Sequence, residues 1–131
     1  MLMVKTKLGP SAIEGIGLFA YQDIPLGTVT WRFEPGFDQL LTADQIAALP
    51  EPARCEMANH TYVNASTGEH VLCLDNARFM NHADDPNTKG IHAANAIDGY
   101  DVATRDIKKG EELTCDYRQF DAAFAAKLGT T

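Results

Sequence analysis

Short runs in which hydrophobic and polar residues alternate make up most of this chain, and turn-forming residues separate them. A period of two puts successive side chains on opposite faces, so each run predicts a β-strand. Gly9 and Pro10 are expected to follow the first strand, and Asp98 and Gly99 to form a hairpin turn. The pattern favours a mostly β fold with short helices. The predicted strands cover residues 2–7, 17–21, 28–33, 61–64, 70–74, 89–96, 100–105 and 112–115.

Helical spacing replaces the alternation in three places. Thr42 and Gln45 form a capping-box pattern, which predicts a helix that Pro50 and Pro52 end. A second short helix is predicted at residues 53–59, and residues 81–88 are predicted to be a polar loop. The tail carries a helical hydrophobic stripe with a glycine at its end, formed by Phe120, Phe124, Leu128 and Gly129.

One internal similarity links two distant segments. The pattern A-x-x-D-I-x-x-G begins at Ala20 and recurs at Ala103. We interpret both copies as strand-to-turn junctions in which Asp23 and Asp106 accept hydrogen bonds from nearby backbone. Two copies are too few for a solenoid, so the similarity indicates repeated turn chemistry within one mostly β fold.

The bulk composition is that of an ordinary globular domain. The chain has 131 residues, 45% of them hydrophobic and 22% charged, enough for one domain with its own core. No apolar run reaches the roughly 20 residues of a membrane span, and the first residues do not resemble a signal peptide. We therefore expect no membrane association and a cytoplasmic location. Three widely spaced cysteines, Cys55, Cys73 and Cys115, favour reduced thiols over disulfides or zinc ligands.

The net charge of −7 indicates which classes of binding partner suit this protein. Without a cluster of Lys and Arg, direct nucleic-acid binding is disfavoured, because phosphates need basic residues against them. An acidic surface suits a basic, lysine-bearing protein or peptide. Acidity also serves solubility alone, and charge does not separate the two explanations.

Polar residues crowd the segment 78–87, where Asn81, His82, Asp84 and Asp85 lie close together in sequence. Such density is typical of a ligand-binding loop or of a loop that holds an unusual backbone. A metal-dependent hydrolase using His82, Asp84 and Asp85 stays open as an alternative, although no further His or Cys stands at ligand spacing. Composition and spacing alone do not specify a reaction.

Three segments, taken in order, resemble the SET domain of protein-lysine methyltransferases. They read G-I-G-L-F-A at 15–20, R-F-M-N-H-A-D-D-P-N at 78–87 and A-T-R-D-I-K-K-G-E-E-L-T-C-D-Y at 103–117. The resemblance implies a SET fold of small β-sheets with a C-terminal pseudoknot, in one domain over residues 1–131. Residues 38–60 would be its helical insert and residues 118–131 a short C-terminal cap. Ala83 replaces the usual Ser of the second motif, at an expected modest cost in stability.

The resemblance also implies a reaction and its residues. S-adenosylmethionine would donate a methyl group to the ε-amine of a protein lysine, without a metal. Tyr117 and Tyr62 would be catalytic. The backbone of Ile16 and Gly17 and the side chains of Asn81 and His82 would bind the cofactor. The lysine channel would be lined by Phe33, Phe79, Cys115 and Phe120.

Further expectations follow from the resemblance. Cys115 stands where many relatives carry an aromatic residue, so the pocket would admit di- or trimethylation. The tail helix or the second subunit of a homodimer would close the channel. The alternative within the same fold is a catalytically inactive module that binds the cofactor or a basic peptide; the retention of Asn81, His82 and Tyr117 argues against it.

Overall fold

The fold of this chain is known from a computed structural model, which describes residues 1–64, 67–91, 99–123 and 127. Within them the chain forms four small sheets, two helices and two 3₁₀ turns, as the alternating pattern predicts. No helix among these residues is long and apolar enough to cross a membrane. The strands are β1 (Thr6–Pro10), β2 (Ile16–Ala20), β3 (Val29–Arg32), β4 (Gln39–Leu41), β5 (Thr61–Val63), β6 (His70–Leu72), β7 (Asn81–His82), β8 (Thr88–Ile91), β9 (Tyr100–Ala103) and β10 (Thr114–Cys115); the helices are α1 (Ala43–Ala47) and α2 (Glu51–His60), and the 3₁₀ turns are Asn76–Phe79 and Tyr117–Gln119.

The N-terminal hairpin pairs β1 with β2, and its register places Gly9 opposite Gly17. The predicted first strand at 2–7 was therefore wrong: the strand begins at Thr6 and includes Pro10, while Leu2 forms an isolated bridge with Trp31. Proline is tolerated there because β1 pairs only with β2, so the missing N–H breaks no second ladder.

The segment between β3 and β5 contains the helices. The capping box is confirmed, since Gln45 N–H donates to Thr42 Oγ1 over 3.1 Å and Thr42 N–H donates to Gln45 Oε1 over 2.9 Å. Pro52 does not end a helix as predicted but lies in the first turn of α2, where backbone N–H groups need no intrahelical partner. Strand β4, which the alternation missed, pairs with β6, and β6 pairs with β5.

Two strands enter the segment that was predicted to be a polar loop. Residues 81–82 form β7, and residue 88 begins β8, which pairs with β9 in the sheet β3-β9-β8. The reason is non-local, because β7 exists only through pairing with β10, from the far end of the chain. Of the predicted strand 89–96, residues 92–96 lie outside the described residues, as do Asp98 of the predicted turn and Phe124, Leu128 and Gly129 of the tail stripe.

A crossing of two chain segments joins the ends of the molecule. Strand β10 runs parallel to β7, with Thr114 beside Asn81 and Cys115 beside His82. On its other side, Thr114 is hydrogen-bonded to Asn87, and its carbonyl accepts from the hydroxyl of Thr88 over 2.7 Å. The C-terminal segment thus lies between the two arms of the 81–88 loop, as the resemblance implies.

The repeated A-x-x-D-I-x-x-G segments meet at the centre of the core. Ile24 and Ile107, each 1% exposed, exchange backbone hydrogen bonds of 2.7 and 2.8 Å. Asp106 accepts from Leu26 N–H and Asp23 from Lys109 N–H, so each aspartate stabilises the turn of the other copy rather than its own. The remaining core residues around this pair are Leu18, Ala20, Met80, Ala103, Leu113 and Cys115.

Candidate active site

The crossing of β7 and β10 brings His82 and Tyr117 together. The N–H of Tyr117 donates to His82 Nδ1 over 3.2 Å, and the two rings lie 5.4 Å apart. The Tyr117 hydroxyl donates to the carbonyl of Met80 over 2.8 Å. Tyr117 is therefore held at both its backbone and its hydroxyl, and burial raises the pKa of that hydroxyl well above its ordinary value.

The ring of His82 has a defined orientation. Because Nδ1 accepts from Tyr117, Nε2 carries the ring proton and points to Asp84 Oδ1 at 3.2 Å. Hydrogen bonds from Arg118 hold the pKa of Asp116, the residue before Tyr117, below its usual value. Among the described residues, no group of three or more His, Cys, Asp or Glu side chains is arranged to hold a metal ion. No observation favours the hydrolase alternative.

Asn81 lies against the loop that precedes β2. Its Nδ2 lies 3.1 Å from the carbonyl oxygen of Glu14, 3.4 Å from that of Ile16 and 3.0 Å from Glu112 Oε2. Ser11 Oγ contacts the same two atoms, at 3.1 Å from Asn81 Nδ2 and 2.9 Å from Glu112 Oε2, and lies 2.8 Å from Glu112 Oε1. The structure thus places Asn81 beside the backbone of Ile16, as predicted, together with Ser11 and Glu112, which the sequence interpretation did not single out.

Gly17 adjoins this cluster. The resemblance to the SET domain implies that its backbone binds the cofactor. In the structure, a Cβ on Gly17 would lie 2.5 Å from Glu112 Oε2 and 3.0 Å from Ser11 Cβ. A side chain at this position would therefore displace the carboxylate of Glu112 from its present place. Glu112 lies within the third motif, so the sequence offered a reason to consider it as a site residue. Ser11 lies in none of the three motifs, so the sequence offered no such reason.

Three aromatic side chains form the wall of the site, and we call Tyr62, Tyr117 and Phe120 the aromatic group. Phe120 meets Tyr62 edge to face at a ring distance of 5.0 Å, and Tyr117 at 6.1 Å. The ring geometry is the one that aromatic quadrupoles favour. The structure thus brings both predicted catalytic tyrosines and one predicted channel residue together.

Lys127 places an ammonium group against the aromatic group. Its Nζ lies 5.6 Å from the centre of the Tyr117 ring, donates to the carbonyl of Thr61, and pairs with Asp121 Oδ2 at 2.7 Å. The Asp121 side chain is fully buried, and its other oxygen accepts from the N–H groups of Val63 and Ala123. Neither Lys127 nor Asp121 was singled out by the sequence interpretation, because neither lies in a motif.

The other predicted channel residues lie elsewhere. Phe79 packs against His60 at the end of α2, with a ring distance of 5.4 Å. Phe33 follows β3 and makes no ring contact among the described residues. Cys115 is buried in the core, with Sγ 3.9 Å from the carbonyl of Asn81. Burial raises the pKa of its thiol well above the ordinary value, so it stays a neutral thiol.

The comparison with known sequences agrees with this arrangement. The SET domain family profile matches residues 15–118 of this chain. Histone-lysine N-methyltransferase 2D of Homo sapiens and that of Mus musculus are each 31% identical to this chain over 122 residues. The match covers 87% of this chain but 2% of either relative, so this chain spans only a small part of their length.

Solved structures show the same fold. A candidate histone methyltransferase of Plasmodium falciparum has a TM-score of 0.59 at 19% identity, over 88% of this chain and 95% of that one. Polycomb Repressive Complex 2 of Chaetomium thermophilum, in an autoinhibited conformation bound to S-adenosylmethionine, has a TM-score of 0.62 at 24% identity, over 96% of this chain and 16% of that one. With the family profile matched over most of its length and Asn81, His82 and Tyr117 gathered at the β7–β10 crossing, this chain belongs to the SET-domain family.

Proposed function

We propose that this protein transfers a methyl group from S-adenosylmethionine to the ε-amine of a lysine in a basic protein substrate. The observation that carries the proposal is the β7–β10 crossing, which holds Tyr117 beside His82 and opposite Phe120. Family membership supports it, as do the names of the relatives, which are histone-lysine methyltransferases. No observation favours the inactive-module alternative.

The residues around Asn81 suit the proposed cofactor. The carbonyl groups of Glu14 and Ile16 converge there, and such acceptors suit the positive charges of the cofactor's sulfonium and amino group. Gly15 has a positive φ of 48°, and the space beside it is open to 4 Å. Ile16 exposes an apolar side chain. When bound, the cofactor would supply an electrophilic methyl group, held by the 14–17 backbone, Asn81 and His82.

The acceptor amine has to be neutral to attack, whereas free lysine has a pKa of roughly 10.4. A lysine bound against Tyr62, Tyr117 and Phe120 would lose its ammonium form more readily, because burial in apolar surroundings penalises charge. Since the Tyr117 hydroxyl donates its proton to Met80, its oxygen can accept an N–H of the amine and orient the lone pair. Alignment of this kind would accelerate the methyl transfer without a covalent enzyme intermediate.

Tyr117 acts as an orienting group in this scheme rather than as a general base. Its raised pKa and its hydrogen bond to Met80 both keep the hydroxyl protonated. The net charge of −7 favours a substrate rich in Lys and Arg.

The test is a transfer assay with radiolabelled S-adenosylmethionine and panels of histones, ribosomal proteins and lysine-rich peptides. We expect label on at least one basic protein, and a loss of about 100-fold in kcat for Tyr117→Phe, in the range seen when an aligned hydrogen-bond group is removed. Tyr21→Phe is the control, because Tyr21 is half exposed on the N-terminal hairpin. Equal activity of Tyr117→Phe and wild type would contradict the role of Tyr117. Absence of cofactor binding would overturn the proposed function.

A further inference from the structure

The hydrogen bonds between Ser11, Asn81 and Glu112 have only one consistent direction. An ionised carboxylate accepts and cannot donate, so the single hydroxyl proton of Ser11 points to Glu112 at 2.8 Å. The lone pairs of Ser11 Oγ are then left for the N–H of Ile13 at 2.9 Å and for Asn81. Glu112 thereby sets the direction of the Ser11 hydroxyl, whose oxygen also lies 3.3 Å from the N–H of Glu14.

The same carboxylate contributes to the orientation of the Asn81 amide. The atoms next to Asn81 on this side are the carboxylate of Glu112 and the carbonyl oxygens of Glu14 and Ile16, all acceptors. Only the NH₂ group of the amide can face them, so its oxygen is turned away from the cluster. Glu112 therefore supplies a side-chain acceptor, beside two backbone carbonyl groups, for a residue proposed to bind the cofactor.

The main chain of Glu112 is anchored elsewhere, in the crossing. Its carbonyl accepts from Asn87 Nδ2 over 2.8 Å, and the residue forms a bridge with Phe19 of β2. The side chain meanwhile reaches the loop at Ser11, 101 residues away in sequence. One residue thus links the rigid crossing to the loop that precedes β2.

We propose that Glu112 is a positioning residue for cofactor binding, which it promotes through Ser11 and Asn81 and without contacting the substrate lysine. The inference rests on the proposed function, because the loop is positioned for S-adenosylmethionine. Loss of the carboxylate leaves the amide of Asn81 and the hydroxyl of Ser11 to compete for fewer acceptors, and the 11–16 loop loses its connection to the crossing.

The experiment measures the Kd of S-adenosylmethionine by calorimetry for wild type, Glu112→Gln and Ser11→Ala. Glu111→Gln is the matched control, because Glu111 is the exposed neighbour of Glu112. We expect Kd to rise about tenfold for Glu112→Gln, the size of one charge-assisted hydrogen bond, and to stay within about twofold of wild type for Glu111→Gln. The KM of the peptide at saturating cofactor should not change, and neither should the number of binding sites per chain, which a general loss of folded structure would lower.

A double variant tests whether Glu112 acts through the loop. If Ser11 and Glu112 form one unit, Ser11→Ala together with Glu112→Gln weakens binding less than the product of the single effects. Multiplicative effects, or a Glu112→Gln protein that binds S-adenosylmethionine as wild type does, would overturn the inference and leave the proposed function intact. A wild-type protein that binds no S-adenosylmethionine would remove the proposed function itself.

Discussion

Asn87 and Thr114 bind each other reciprocally across the crossing. The N–H of Thr114 donates to Asn87 Oδ1 over 2.9 Å, and the N–H of Asn87 donates to Thr114 Oγ1 over 3.1 Å. Both residues are buried. Since β7 and β10 pair over only two residues each, these side chains stabilise a crossing that the strand ladder alone would hold weakly.

Replacing Asn87 should therefore destabilise the fold. Asn87→Ala leaves the N–H of Thr114 and the carbonyl of Glu112 buried without their partner. We expect the free energy of unfolding to fall by about 3 kcal/mol, measured by urea denaturation. Asp85→Asn, at an exposed position of the same loop, is the control and should change it little. An Asn87→Ala protein as stable as this control would show that the ladder suffices.

Gly17 and Gly9 face each other in the hairpin and form a matched pair. Gly17→Ala would press a methyl group onto the carboxylate of Glu112, and we expect a loss of about 2 kcal/mol in stability, typical of overpacking, with weaker cofactor binding. Gly9→Ala meets only the ring edge of Phe19 at 3.4 Å and should be nearly neutral. Thermal unfolding of both variants checks this, and equal losses would contradict the special position of Gly17.

The ion pair between Lys127 and Asp121 predicts a stability effect of the C-terminal segment. Lys127→Met leaves a fully buried carboxylate without its counter-charge. We expect a loss of about 2 kcal/mol, below the usual cost of breaking a buried pair because Lys127 keeps some contact with water. Lys89→Met, at an exposed position of β8, is the control. If the two variants unfold at the same denaturant concentration, the pair contributes nothing.

Alkaline pH should destabilise the protein. Burial raises the pKa of Cys73, Cys115 and Tyr117 in the folded state, whereas in the unfolded chain these groups ionise near their ordinary values. Above about pH 8.5 for the two thiols, and above about pH 10 for Tyr117, the unfolded state therefore binds fewer protons than the folded state. Stability then falls as pH rises, with a slope that approaches about 1.4 kcal/mol per pH unit for each group once it is fully ionised in the unfolded chain. Urea denaturation between pH 8 and pH 10 measures the slope.

A cysteine variant isolates one contribution to that slope. Cys73→Ala removes one of the three buried groups and should reduce the slope by about 1.4 kcal/mol per pH unit, whatever it does to stability at neutral pH. Cys55→Ala, at an exposed site, should keep a slope nearer to wild type. An unchanged slope in Cys73→Ala would mean that this thiol ionises alike in both states.

The number of methyl groups transferred tests the position of Cys115. Cys115 is a core residue beside the crossing, with Sγ 3.9 Å from the carbonyl of Asn81. If this small side chain also leaves room in the proposed lysine pocket, mass spectra after long incubation should show di- or trimethylated product. Cys115→Phe should shift the product toward monomethyl-lysine. The melting temperature of this variant is measured as a control for folding, because Cys115 lies in the core and overpacking costs about 1–3 kcal/mol. Monomethyl product alone from wild type would contradict the expectation.

The local pattern of the chain determined most of the elements. Alternation located β2, β3, β5, β6 and β9 to within a few residues, and the capping box located the start of α1, because these signals depend on neighbours in sequence. Alternation failed to predict a strand whose pairing partner is distant in sequence. The strand at β7 has no alternation to detect, and it forms because β10 passes beside it.

The site divides in the same way. The sequence motifs identified Asn81, His82 and Tyr117 as candidate site residues, because each of them lies within a long segment that resembles the family. The chain alone did not reveal that Glu112 meets Ser11 across 101 residues, or that Asp23 and Asp106 serve each other's turns. Hydrophobic periodicity predicts which face of an element is buried, but not which distant segment packs against that face. The contact of Ile24 with Ile107 and the β7–β10 crossing are set by tertiary packing, so only the three-dimensional structure reveals them.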